Sequence, residues 1–422
     1  MNKQCVEILI ERLGPSILLG ILSVLWCVPL WAQSQAAYAP MDPIPDVIEE
    51  LPDPCDNPTI GTWGPDDERG NLNYLTADRV RENLGLIRQG RVYNLAHLLE
   101  PGQMGFSAFL DFKANLGQWP GVGASNTITN NEETLGNSTF NPNRSGVMQF
   151  EIGTQLDGFN HFTQSGVTYN CFDTRDPENH LHAEGDPGQL PKGNPGDDYV
   201  FRGHSKMGIE NVGTIIARGV LIDVAGLLRE GEIKAGRDPE EFPQPAYEFT
   251  PEELERALLR QGLTIDDIRP GDALLIRTGW AGRFWTSNPA APRNERLKYL
   301  NNGQDEKFLP GGPGLGARAV QWTLNRKPVL VAADVKSIEV ANPFKEPDPF
   351  HRPGHISWLN SGIYMLEDVD LEEWAVDCEQ MLAGGSKDAV SPDESCYVMT
   401  LIIQTIPIRG SGGSTVAPIA VR

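Results

Sequence analysis

The densest run of candidate ligands in the chain is Glu151-Ile-Gly-Thr-Gln-Leu-Asp-Gly-Phe-Asn-His161. On an extended strand, side chains two apart project to the same face. A strand through this run would therefore line up Glu151, Gln155 and Asp157, with Gly153 leaving room between them. Such a row of oxygen-bearing side chains is expensive to bury unless something neutralises it, and a divalent cation does so. His161 follows Asp157 by four positions, past a strand-breaking Gly158, so a turn there can return its imidazole to the same pocket. Beside a cation, an imidazole is suited to act as a general base.

Several elements must position these groups. The run itself is predicted to be a strand over 147–157, and apolar or alternating stretches predict further strands at 93–99, 219–224, 272–278, 329–335, 362–366 and 397–408. A helix is predicted over 76–89, with Thr76 as its N-cap and Gly90 just past its end. The clearest helix runs from Pro251 to Gln261: Thr250 caps it, Pro251 takes the first helical position, Glu253 completes a capping box and Gly262 ends it. Residues 114–146 are dense in Asn, Gly, Ser and Thr and read as a long loop. Strands outnumber helices, with no internal repeat and no clean linker after residue 60. The fold class expected is α/β, one mixed domain spanning 61–422, preceded by an extended lead-in over 35–60.

Composition narrows the function classes. The chain has 422 residues and 40% hydrophobic residues, enough for a sizeable core, while 44 Gly and 33 Pro imply many turns and irregular loops. A formal net charge of -22 makes nucleic-acid binding and attachment to anionic membranes unfavourable. At the N-terminus, Lys3 and Arg12 precede an apolar run from Ile17 to Trp31, followed by small residues at Ala32, Ser34 and Ala36. This is the pattern of an export signal cleaved near residue 34, and it places the mature protein in the periplasm or outside the cell, with no membrane attachment after cleavage. An uncleaved anchor is the rival reading, because Glu7 and Glu11 weaken the positive region. The mature chain then keeps Cys55, Cys171, Cys378 and Cys396, either as two disulfides or as four buried thiols. Cys378 and Cys396, flanking a Gly-Gly-Ser loop, are the easiest pair to close. No cysteine spacing suits a structural zinc site.

The 151–161 run resembles the signature of the cyclase family, which includes bacterial kynurenine formamidase, isatin hydrolase and a dienelactone hydrolase branch. The usual form reads His-x-Gly-Thr-His-x-Asp-x-Pro-x-His. Gly153, Thr154, Asp157 and His161 match it, Glu151 and Gln155 stand where two histidines are usual, and Phe159 replaces the proline. The chain is thus nearer to the Gln-x-x-x-Gln-x-Asp-x-x-x-His variant of the trans-dienelactone hydrolase branch. Further stretches are similar in the family's order: Trp63 to Asn73, Arg218 to Val224, Gly271 to Trp280, Pro313 to Gly316, Ala333 to Glu339 and the tail through Ala420.

The resemblance implies a swivelling β/β/α domain with a mixed sheet and flanking helices. It also implies a metal-dependent hydrolase of a small cyclic or acyl substrate (amide, lactone or formamide), usually a homo-oligomer. A second pair of ligands comes with it: His355 and, twelve residues on, Glu367 at the end of a predicted strand. The implied metal set is Glu151, Gln155, Asp157, His355 and Glu367, holding one or two divalent ions per subunit, with His161 as general base. Oxygen donors in place of imidazoles favour manganese or magnesium, with zinc still open. Two alternatives belong to other classes: a metal-binding protein of the same fold without turnover, and a cyclising dehydratase. Among the remaining histidines, His97 is a weak pocket candidate, while His180 and His182 read as a solvated loop and His204 and His351 stand alone. Trp63, Trp280, Trp285 and Trp358 suit either a substrate pocket or the core.

Overall fold

The structure is a computed structural model. It describes Cys55, 61–97, four short strand segments between 127 and 149, 153–164, 166–174, 176–179, 181, 204–234, 247–280, 312–335, 337–340, 353–383 and 391–422. The stretch expected to be an export signal, most of the expected lead-in, the 114–146 stretch apart from those strand segments, Glu151, His180, His182, Trp285 and His351 lie outside the described residues. The rest falls within one compact unit, Asp46–Arg422.

Nine strands form a mixed sheet: β1 (Val92–Asn94), β2 (Gln155–Asp157), β3 (Thr214–Asp223), β4 (Ala273–Arg277), β5 (Leu330–Ala333), β6 (Tyr364–Glu367), β7 (Val398–Gln404), β8 (Gly413–Thr415) and β9 (Ile419–Val421). Their spatial order is β1-β9-β7-β3-β4-β5-β6-β2-β8. The four central strands β3 to β6 are parallel, and every flanking strand pairs antiparallel. Strands β4, β5 and β6 are buried along their whole length, which explains their unbroken apolar sequences: a parallel strand is covered on both faces.

Six helices accompany the sheet among the described residues: α1 (Ala77–Leu84), α2 (Val224–Lys234), α3 (Pro251–Arg260), α4 (Ala317–Asn325), α5 (Pro353–Asn360) and α6 (Glu372–Ala383). The capping box of α3 is present, with Thr250 Oγ1 accepting from Glu253 N at 3.3 Å and Glu253 Oε2 accepting from Thr250 N at 2.9 Å. Thr76 caps α1, which stops at Leu84 rather than running to Gln89. The predicted strand over 147–157 is broken instead of continuous. Gly153 has φ +64°, a left-handed conformation that interrupts the regular alternation of a strand. Alternation therefore cannot be carried from Asp157 back to Glu151.

Both disulfides form, Cys55–Cys171 and Cys378–Cys396. The second ties α6 to the segment entering β7. The first fastens the lead-in beside Tyr169, whose ring packs 4.6 Å from that of Phe159.

Candidate metal centre

Strand β2 lies between β6 and β8. Its register with β6 sets Gln155 opposite Glu367 and Asp157 opposite Met365. Opposed residues of an antiparallel pair share a face, so Gln155, Asp157 and Glu367 project into one pocket. The Gln155 Nε2 donates to Asp157 Oδ1 at 3.3 Å and to Glu367 Oε2 at 3.5 Å.

After Asp157 the chain turns. His161 N donates to Gly158 O at 2.9 Å, and Gly158 N donates to Gly412 O at 2.6 Å. Phe159 anchors the turn, wedged between Tyr169 and Tyr364 with ring centroids 4.6 and 4.4 Å away. This packing fixes the turn. Behind it, Asp67 Oδ2 accepts from Tyr169 Oη at 2.9 Å, so the Trp63–Asn73 stretch braces the turn from outside. The result is that His161 Nε2 sits 3.7 Å from Asp157 Oδ2.

His355 enters from the first turn of α5. Its Nε2 lies 3.3 Å from Glu367 Oε1, and Phe162 packs against it at 4.4 Å between ring centroids. Its other nitrogen, Nδ1, faces both oxygens of Glu339 at 2.7 and 2.8 Å, and its backbone N–H donates to the same carboxylate at 3.1 Å. Burial works against a proton on this imidazole, but the carboxylates of Glu339 and Glu367 outweigh it and raise its pKa to about 10.

Five of the six residues expected from sequence, Gln155, Asp157, His161, His355 and Glu367, thus converge, and all five are buried. Asp157, His161 and His355 each offer one ligand atom within 4.8 Å of the others. The arrangement fits a cation on its own chemistry. Asp157 is wholly buried, and its Oδ2 accepts no hydrogen bond, a costly state for a carboxylate unless a positive charge is supplied. Sequence reasoning missed Glu339. It stands in the Ala333–Glu339 stretch already noted, but no spacing rule ties it to a histidine sixteen positions later.

The remaining histidines and tryptophan candidates among the described residues have surroundings of their own. His97 is buried, and burial lowers its pKa to about 4 against the opposing pull of Asp368 and Glu372. His204 packs edge-on to Phe172. Trp63 packs edge-on to Tyr74, while Trp280 and Trp358 are buried.

Comparison with known proteins decides the family. The family model Cyclase, described as "Putative cyclase", matches residues 93–340. The chain belongs to the cyclase family. A crystal structure of a novel cyclase is 26% identical over 86% of this chain and 96% of its own, with a TM-score of 0.56. Its fold supports the mixed sheet with flanking helices as a cyclase fold. Isatin hydrolase A from Ralstonia solanacearum is 17% identical, covering 83% of this chain and 96% of its own, at a TM-score of 0.37. Isatin hydrolase A from Labrenzia aggregata, bound to benzyl benzoate, is 14% identical, with coverage of 83% and 98% and a TM-score of 0.38. No curated protein matches the chain in sequence.

Proposed function

We propose that this cyclase-family chain is an exported, metal-dependent hydrolase that opens a small cyclic or acyl substrate at an amide, lactone or formamide carbonyl. The observation that carries the reading is the bare oxygen of Asp157, buried opposite two imidazoles. Asp157, His355 and Glu367 would hold a divalent ion, and Gln155 would add a neutral amide oxygen once its side chain turns over. Glu151 remains a proposed ligand on the family resemblance alone, since the break at Gly153 removes the argument from strand alternation. The oxygen-rich set favours manganese over zinc. When bound, the ion supplies Lewis acidity, polarising the carbonyl and acidifying water.

The chain's own residues do the rest. His161 takes a proton from the attacking water on the nitrogen that faces Asp157, and delivers it to the leaving nitrogen or oxygen as the carbon–heteroatom bond breaks. Asp157, 3.7 Å from that nitrogen, steadies the imidazolium between the two transfers. Phe162, packed against both His161 and His355, keeps bulk water from the pair. The Gln155-x-Asp157-x-x-x-His161 pattern resembles the dienelactone hydrolase branch and supports that reading, so lactones head the substrate panel.

The test is metal analysis of the purified protein, followed by a screen of lactones, amides and formamides with and without EDTA. Hydrolysis that EDTA abolishes and added Mn2+ restores is expected. Bound metal with no turnover on any of the panel would favour a binding protein instead. His161→Ala should lower kcat by about 10²- to 10⁴-fold while metal content is unchanged; loss of the metal would make His161 a ligand rather than a base. Export is supported by the leader pattern together with two disulfides, which persist in oxidising compartments. The N-terminal residue of the mature protein checks it.

A further inference from the structure

The geometry points to Glu339 as the residue that positions His355 for metal binding, a role that rests on the metal-dependent reading above. Three donor–acceptor contacts converge on its carboxylate: His355 Nδ1 at 2.7 and 2.8 Å and His355 N at 3.1 Å. With Nδ1 held against an anion, its hydrogen points to Glu339, so Nε2 is the nitrogen that gives up its proton and offers a lone pair when a metal binds. That nitrogen faces Glu367 Oε1 at 3.3 Å and belongs to the same cluster as Asp157 and His161. A carboxylate behind a ligating imidazole fixes the tautomer, orients the ring and makes it a stronger donor.

The surroundings of Glu339 are built to hold it. Its backbone is clamped to Leu315, with Leu315 N donating to Ile338 O at 2.8 Å and Val340 N to Leu315 O at 3.1 Å. Two glycines admit it. A methyl group on Gly314 would come within 2.4 Å of the Glu339 carbonyl carbon, and one on Gly354 within 2.9 Å of the Glu339 Cβ and Cδ. The glycine-rich stretch Gly312-Pro-Gly-Leu-Gly316, whose spacing suits no phosphate loop, thus acquires a reason: it lets this carboxylate approach the first turn of α5.

Glu339 also accepts a backbone N–H at the start of that helix, so a purely structural role must be separated from a role at the metal. Glu339→Gln keeps the shape and an acceptor for both N–H groups but removes the charge. The experiment measures Mn2+ affinity of the full chain by competition with a fluorescent chelator, and the melting temperature of the metal-free protein. Glu339→Gln is expected to weaken Mn2+ binding about tenfold and Glu339→Ala up to about 100-fold, with the metal-free Glu339→Gln melting as wild type does. Glu255→Gln, altering a buried carboxylate that accepts from Trp322 Nε1 at 2.9 Å, serves as the control and should bind Mn2+ as wild type does. Should Glu339→Ala fail to fold, Glu339→Gln decides alone. Wild-type affinity in Glu339→Gln, or an equal loss in Glu255→Gln, overturns the inference and leaves the metal reading standing. A wild-type protein that binds neither Mn2+ nor Zn2+ overturns the metal reading, and this inference with it.

Discussion

Gln155 stands opposite Glu367 across the β2–β6 pair, and its amide nitrogen reaches both Glu367 Oε2 and Asp157 Oδ1. Two buried carboxylates that would repel each other are thereby joined by one neutral donor. The signature that this run resembles has histidine at this position, so a single residue changes the hardness of the pocket while leaving its charge as it was.

Gln155→His should therefore shift metal preference. An imidazole here adds a softer nitrogen donor, which raises zinc affinity relative to manganese. The expected outcome is a larger Zn2+/Mn2+ affinity ratio than in wild type, read by competitive binding of the two ions. An unchanged ratio would mean that Gln155 does not contact the metal.

Asp157→Asn separates function from stability. The wild-type carboxylate is wholly buried, and its Oδ2 accepts no hydrogen bond. Removing the charge should abolish stoichiometric metal binding, measured by elemental analysis after dialysis. The metal-free variant should melt no lower than the metal-free wild type and gain about 1 kcal/mol or more, because an uncompensated buried charge is gone. A variant that loses stability would show that Asp157 is structural.

The disulfides should differ in worth. Cys378–Cys396 closes a loop of sequence separation 18, and Cys55–Cys171 one of 116. Restricting the unfolded chain should contribute roughly 3 kcal/mol for the shorter loop and nearer 5 kcal/mol for the longer. Urea titrations of the two double Cys→Ser variants check the order. A larger loss for the Cys378/Cys396 pair would mean that native contacts around α6 outweigh loop entropy.

Local chemistry was the most legible part of this fold. The α3 capping box and the apolar parallel strands follow from residue types within a few positions of each other, and both are present. Helix α5, which carries His355, has no such signal: residues 354–360 are all buried, so no polar stripe marks a helical period. Strand β3 runs straight into α2 at Val224 with no breaker between them, which hides the helix behind the strand pattern. The 147–157 strand was over-extended because a glycine read as spacing is a left-handed break. Asp157, Gln155 and His161 could be placed together from short-range geometry, and His355 and Glu367 through the family resemblance. The pairing of Glu339 with His355 depends on how a loop meets a helix, which no local pattern encodes.

His97 should give the protein a measurable acid sensitivity. It is buried, and burial lowers its pKa from 6.5 to about 4, with Asp368 and Glu372 only partly opposing the shift. In the unfolded chain the imidazole takes up a proton as pH falls through about 6.5, whereas in the folded protein it stays neutral until about pH 4. Between those values the unfolded state binds more protons, so stability falls as pH falls, and the loss is complete once pH drops below about 4. The total is on the order of 3 kcal/mol for a shift of this size. His97→Gln removes the titration while the carboxylate background stays common to both proteins. Urea midpoints measured from pH 7 to pH 4.5 should decline less steeply in the variant, the two slopes differing by up to one proton. Parallel curves would mean that His97 is protonated equally in the folded and unfolded states.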